Sequence, residues 1–358
     1  MGALSGSTKA KKISILAPFV GIGGRWIDDF CSRSDLEFEK APFPTALQSW
    51  HTRGATTPIS DWLEHCKYAY QGMKGRPECI VTSFPQLALV TAALLQLTNR
   101  TSTRLVAWNF NLGSLPGGWK RGIAKMILRR VDRFVVHATG EIGSYARWLG
   151  VSEHKFHFVP LQRGEIDPLR PSRVKTPYIV SMGSAHRDYQ TLVDAIADSG
   201  ITTVIISKKN LLDSLPEHPN LVKLHGLTLA ECNDILGAAT VNVVPMSNAQ
   251  TASGQVTFTT SMRMGVATVA SRCIGTTDYI RDGETGLLVP PGDSKALSSA
   301  ITKLWYDDAF RSRIGAAGRD YGDKNFSDEA AGEHLGRVID EVLALGSSPV
   351  QTRQRNQS

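Results

Sequence analysis

The chain has 358 residues, 42% of them hydrophobic and 20% charged, a composition that excludes fibrous and unfolded chains and leaves room for two ordinary cores. Its net charge of +7 favours anionic partners, among them nucleotides, phosphate-bearing lipids, membrane surfaces and nucleic acid, without choosing between them. No apolar run approaches the ~18 residues of a membrane span. The five cysteines are scattered without a Cys-x-x-Cys pair, which reads as reduced thiols in a cytosolic protein.

Short apolar, β-rich runs alternate with helical patterns. The first strand is expected over 13–18, and the turn Gly21-Ile22-Gly23-Gly24 follows it. Bare N–H groups there suit a phosphate, and a tight βα turn explains them equally well. Further strands are expected over 79–82, 105–109, 134–138 and 156–160. Trp108-Asn109-Phe110-Asn111 closes the third strand with two asparagines, either a polar loop or groups that orient a ligand. The spacing over 117–134 predicts an amphipathic helix. Arg121, Lys125, Arg129 and Arg133 form a basic ridge, and Trp119, Ile123, Ile127 and Val131 an apolar one. Such a helix rests on an anionic bilayer or packs its apolar stripe on the sheet; both readings stay open. His137 reads as a core residue, and Glu141 after it as a site candidate.

The polar, proline-containing stretch 167–172 marks a linker, which gives domains at 1–165 and 166–345 and a tail of disordered composition at 346–358. Second-half strands are expected over 178–182, 203–207, 222–225, 241–244, 268–271 and 287–289. Strands separated by helices imply βαβ units, so the chain is α/β with two doubly wound, Rossmann-like domains. Ligands of such sheets meet the loops at the carboxyl ends of the strands, in a cleft between the two domains. Arg187 falls where a helix begins and can clamp an anion there, or remain a surface arginine. Lys208 and Lys209 follow the next strand, and His225-Gly226-Leu227 the one after. Ser253, Gly254 and Gln255 lead into a short helix over 258–264, ended by Gly265. A glycine-containing loop that opens a helix presents N–H groups to phosphate or sugar oxygens. A final helix is expected over 329–345.

The stretch 252–293 resembles the donor-site signature of retaining GT-B glycosyltransferases of the family 4 type, the glycosyl transferases group 1. Ser261-Met262-Arg263-Met264-Gly265 lines up with the family's Ala-Met-Ala-x-Gly. The later Gly-x-x-Asp-x-Ile and Gly-x-x-Gly-Leu-Leu-Val pieces fall at 275–280 and 283–289. The two signature glutamates are replaced by Ala252 and Thr260, and the usual proline by Ala267.

The resemblance implies transfer of a sugar from a nucleotide-diphospho-sugar to an acceptor, with retention. Arg187, Lys209 and Asn109 would act at the reacting centre. The donor would meet Gly23, Gly24, Lys208, Leu227, Gly254, Gln255, Val256, Thr257 and Thr260. Trp119, Arg121, Lys125 and Arg129 would face a lipid-linked saccharide acceptor or an anionic membrane. The final helix would pack back on the first domain. Neither cofactor nor metal is expected, in keeping with the lack of an Asp-x-Asp motif, and no nucleic-acid partner. The expected place is the cytoplasm, with peripheral contact on the inner face of a membrane. The rival from another class is a non-catalytic module of the same fold, favoured by Ala252 and Thr260.

Overall fold

The structure is a computed structural model. It describes residues 9–20, 24–42, 44, 47, 57–113, 115–167, 169–250 and 252–345. The chain divides into two compact units, one of residues 1–136, 142–158 and 332–358, the other of 137–141 and 159–331. The division therefore falls at 158/159, ahead of the proline-containing stretch, and 137–141 groups with the second unit.

The first unit is built on β1 (Lys11–Leu16), β2 (Leu36–Lys40), β3 (Cys79–Ser83), β4 (Arg104–Trp108), β5 (Arg133–Val136) and β6 (Phe156–Phe158). They form one parallel sheet in the order β2-β1-β3-β4-β5-β6, so the winding reverses between β1 and β3. Helices α1 (Ile59–Gly72), α2 (Pro85–Leu97), α3 (Gly118–Leu128) and α4 (Ile142–Leu149) connect the strands. β3 is buried along its whole length and β4 from Leu105 to Trp108, as a doubly covered parallel sheet requires. Leu16, Ile80, Leu105, Ala107, Phe134 and Val136 turn to a core completed by Leu87, Ala88 and Leu95 of α2.

The second unit repeats the plan with β7 (Ile179–Met182), β8 (Thr203–Ile206), β9 (Leu221–Leu224), β10 (Val241–Val244), β11 (Thr268–Ser271) and β12 (Leu287–Val289). Its parallel order is β12-β11-β10-β7-β8-β9, and the winding reverses between β7 and β10. The connecting helices are α5 (Tyr189–Ile196), α6 (Lys209–Asp213), α7 (Leu229–Gly237) and α8 (Gln255–Arg263). After β12 come α9 (Ser294–Tyr306), α10 (Asp308–Asn325) and α11 (Asp328–Ala344). From Gly332 onward α11 groups with the first unit. There Asp340 and Glu341 pair with Arg33 and Arg133 at 2.5 and 3.0 Å.

Two elements differ from the sequence expectation. β2 carries no continuous apolar run, because it is an edge strand with only Leu36 fully buried. The helix expected over 117–134 ends at Leu128. The Asp132 carboxylate accepts the Leu105 N–H at 2.8 Å and pairs with Arg104 and Arg130. That turn redirects the chain, so Arg133 opens β5 and Val131 is fully buried beside it.

Candidate functional site

Open parallel sheets bind ligands where the winding reverses, beyond the carboxyl ends of the strands. In the second unit that place lies between β7 and β10, and the loops after these two strands are laced together. Arg187 forms a bridge with Met246, the Asp188 N–H donates to the Pro245 carbonyl at 3.1 Å, and the Ser247 N–H to that of His186 at 3.0 Å. Asp188 then caps α5 by accepting from the Thr191 N–H and hydroxyl at 3.1 and 2.7 Å.

The Arg187 guanidinium is the centre of this lacing. Its Nε donates to the Met182 carbonyl at 3.0 Å, and Nη1 to the Ala185 carbonyl at 3.1 Å and the Met246 sulfur at 3.2 Å. Nη2 donates to the Thr257 hydroxyl at 3.2 Å. All these acceptors are neutral, and among the described residues no carboxylate pairs with the charge. Burial pushes the guanidinium below its ordinary pKa, the mark of a cation held without a counterion. Gly183 (φ +113°) and Gly254 (φ +94°) give it room: a Cβ on Gly183 would stand 2.7 Å from Nη2. The geometry makes Arg187 an anchored positive charge and not a surface arginine.

Helix α8 starts directly at this charge, earlier than the 258–264 expected from sequence. Its N-cap is Gly254, and no side chain caps it, so the first-turn N–H groups of Gln255 and Val256 keep the partial positive charge of a helix start. Gln255 and Thr257 are buried, and Val256 is exposed. Thr260 departs from the donor-contact role suggested by its sequence position. It is buried, and its hydroxyl proton goes to the Val256 carbonyl at 2.6 Å, a bond within the helix.

The lysine pair separates. Lys209 lies on α6 and pairs with Asp213 at 2.7 Å in solvent, which neutralises it locally. The Lys208 backbone N–H reaches the Ser184 hydroxyl at 3.3 Å beside the Arg187 loop, and its exposed ammonium makes no ion pair among the described residues. Leu227 packs its side chain on the core between β7 and α7, next to Gly226 (φ +69°). Gly275 lies so close to the loop before α8 that a Cβ would stand 2.8 Å from the Ser253 nitrogen. Asp278 accepts from the Thr139 N–H and hydroxyl at 2.7 and 2.6 Å, and Tyr279 donates to the His137 carbonyl at 2.8 Å. The Asp-x-Ile piece thus fastens 137–141 into this unit.

The remaining expected residues belong to the first unit. Gly23 lies outside the described residues, whereas the Gly24 carbonyl accepts from Lys40 at 3.3 Å. Asn109 follows β4 in a left-handed conformation (φ +52°). The two ridges read for α3 are redistributed. Arg121 donates to the Arg147 and Trp148 carbonyls at the end of α4, and the Lys125 side chain lies over Gly150. The basic side therefore caps a neighbouring helix, while Arg129 is exposed. Trp119, Ile123 and Met126 are 73%, 42% and 64% exposed and make an apolar outer face. Among the described residues no helix is long and apolar enough to cross a membrane.

Sequence reasoning missed Met246, Ser184 and Gly183 in the second-unit site. Gly183 carried a signal, a glycine at a strand end ahead of a helix; Met246 carried none.

Residues 176–307 match the model of the family described as glycosyl transferases group 1. Over 178 residues the chain is 27% identical to a lipopolysaccharide core biosynthesis glycosyltransferase of Rhizobium meliloti, matching 48% of this chain and 51% of that protein. The chain thus spans about half the length of this curated relative. Among solved structures it resembles a sucrose-phosphate synthase from Thermosynechococcus elongatus, with 18% identity, a TM-score of 0.68 and coverage of 94% of this chain and 100% of that one. It also resembles Anabaena HepE in complex with UDP and glucose, with 14% identity, a TM-score of 0.65 and coverage of 92% and 100%. The chain has the GT-B fold of these structures and, over 176–307, the sequence pattern of group 1.

Proposed function

We propose that this chain, which carries the glycosyl transferases group 1 pattern in its second unit, moves a sugar from a nucleotide-diphospho-sugar to a saccharide acceptor in polysaccharide assembly. The observation that carries the reading is the uncompensated Arg187 charge beside the uncapped start of α8, at the reversal of the second sheet. A diphosphate supplies the missing counterion. As the sugar departs, negative charge grows on that diphosphate, and a fixed positive site lowers the barrier by meeting it. Lys208 adds an adjustable cation at the rim. Transfer proceeds with retention and without a metal. The Rhizobium relative supports the polysaccharide setting, and the HepE complex supports UDP as the nucleotide.

The acceptor is lipid-linked, and the protein works at the cytoplasmic face of a membrane. The exposed Trp119, Ile123 and Met126, flanked by Lys120 and Arg129, support contact with anionic lipid. Co-sedimentation with phosphatidylglycerol vesicles checks this: Trp119→Glu is expected to reduce binding several-fold, and equal binding by both proteins contradicts it.

Thr260 favours a second reading, a non-catalytic nucleotide-binding module, because its hydroxyl is committed to the helix. Calorimetric titration with UDP, GDP, ADP and their sugars separates the cases. Selective binding that disappears in Arg187→Ala, together with transfer from the matching sugar-nucleotide, supports the enzyme. Binding without turnover supports the module, and no binding by any nucleotide removes both.

A further inference from the structure

The loop after β7 turns at the Gly183–Ser184 peptide, and two hydroxyls outside the loop grip that peptide from one side. Tyr189, which opens α5, donates to the Gly183 carbonyl at 2.5 Å, and Ser207, just past β8, donates to it at 2.7 Å. A carbonyl oxygen has two lone pairs, and both are thereby taken. The Gly183 N–H is fixed as well, by the Ile206 carbonyl at 3.0 Å. Tyr189 is 4% exposed, and burial raises its phenol, so it stays a donor. Gly183 holds φ +113°, a position where the backbone itself gives little resistance to rotation. The two hydroxyls supply the restraint that the glycine lacks.

A trans peptide sets its N–H opposite its C=O. The Ser184 N–H therefore points away from Tyr189 and Ser207, and it makes no hydrogen bond among the described residues. The Ser184 side chain is committed elsewhere: its hydroxyl meets that of Ser207 at 3.2 Å and accepts from the Lys208 N–H at 3.3 Å. The loop also lies against the start of α8. The Ser253 hydroxyl donates to the Ala185 carbonyl at 3.3 Å, and a Cβ on Gly254 would stand 3.6 Å from Arg187 Nη1.

We propose that Tyr189 and Ser207 are positioning residues: they hold the Gly183 carbonyl back so that the Ser184 N–H donates to a bound diphosphate, beside Arg187 and the first turn of α8. This rests on the nucleotide reading of the site given above. Without the two hydroxyls the Gly183–Ser184 peptide rotates, and a carbonyl oxygen replaces the N–H in front of the anion. Neither hydroxyl touches the nucleotide; each acts through the peptide.

Calorimetric titration of the full chain with UDP, GDP and ADP tests it. Tyr189→Phe keeps the ring and removes the hydroxyl. It is expected to weaken the nucleotide that binds by about tenfold, the scale of a hydrogen bond to a charged group, and Tyr189→Phe with Ser207→Ala to weaken it further. Tyr178→Phe is the matched control, because its hydroxyl donates to the Ile235 carbonyl at 2.7 Å in the core of the same unit. It should lower the melting temperature as much as Tyr189→Phe and leave nucleotide affinity unchanged. A second readout is the Ser184 amide resonance of the 15N-serine-labelled chain, assigned by its loss in Ser184→Ala. In the unaltered chain it is expected to move downfield saturably with the nucleotide, a result that stands even where a variant fails to fold. The proposal is overturned if that resonance does not respond, if both Tyr189 variants keep the original affinity, or if Tyr178→Phe loses as much affinity as Tyr189→Phe. Each of these results, with the unaltered chain still binding, removes the positioning role alone. Binding without sugar transfer counts against the transferase reading alone, and no binding by any of the three nucleotides removes both.

Discussion

The two sheets share a winding principle and differ in how their reversal points are furnished. The second holds an uncapped helix start, two positive-φ glycines and a cation that no carboxylate pairs with among the described residues. The first holds aromatic rings, indole donors and a buried carboxylate, with non-glycine residues in left-handed conformations. One edge gathers positive charge, and the other gathers aromatic rings and buried polar groups. The same topology thus separates two chemistries by the side chains placed after its strands.

Removing the charge from the second edge gives the largest expected effect. Arg187→Ala should lower transfer by roughly 10²–10³-fold, the scale of losing one preorganised electrostatic group, and abolish nucleotide binding in calorimetry. Arg187→Lys retains the charge but cannot span Met182, Ala185 and Thr257 together, so it should fall between the two. Equal rates for all three proteins would erase the contrast between the edges.

A pH effect shared by both units comes next. His137, in the second, donates through Nδ1 to the Val159 carbonyl at 2.7 Å as a neutral ring, and burial lowers its pKa to about 4. His334, in the first, is also lowered to about 4, by burial, Arg337 and His157. Both sit below their unfolded values, so the unfolded chain takes up protons first. Stability is full above pH 6.5 and is lost as pH falls towards 4, by at most about 3.5 kcal/mol for His137 at ~1.4 kcal/mol per unit. Urea melts across that range should show it, and His137→Phe should flatten part of the slope.

Gly254→Val tests the backbone of the second edge. A left-handed valine costs about 1–2 kcal/mol, and its Cβ would press on Val244 Cγ1 at 3.1 Å. Chemical denaturation should register that loss along with weaker nucleotide binding. The smallest effects sharpen the placement of the lysines. Lys208→Ala should weaken nucleotide binding a few-fold, the scale of an exposed charge, while Lys209→Ala, which removes only the partner of Asp213, should leave it unchanged.

This contrast also decides what was legible in the sequence. The second edge is written in residues with few other uses: Gly183 and Gly254 where φ is positive, and Asp278 and Gly275 in fixed spacing. The first edge is written in Trp26, Trp108 and Ser83, which look like core until it is seen that their polar atoms find no hydrogen-bond partner among the described residues. Spacing could not show that Thr260 turns its hydroxyl onto its own helix, nor that Lys208 makes no ion pair among the described residues. The helix over 117–134 was overextended because Val131 and Arg133 continue its period, whereas Asp132 and its contacts with Leu105, Arg104 and Arg130 end it. Long-range contacts of this kind leave no periodic trace.

The most direct test of the central claim is hydrogen–deuterium exchange of the full chain with and without UDP. The account predicts that protection concentrates in peptides covering 183–188, 245–248 and the start of α8, and that it vanishes in Arg187→Ala. Protection confined to other segments, or unchanged in that variant, would contradict a nucleotide site at the reversal of the second sheet.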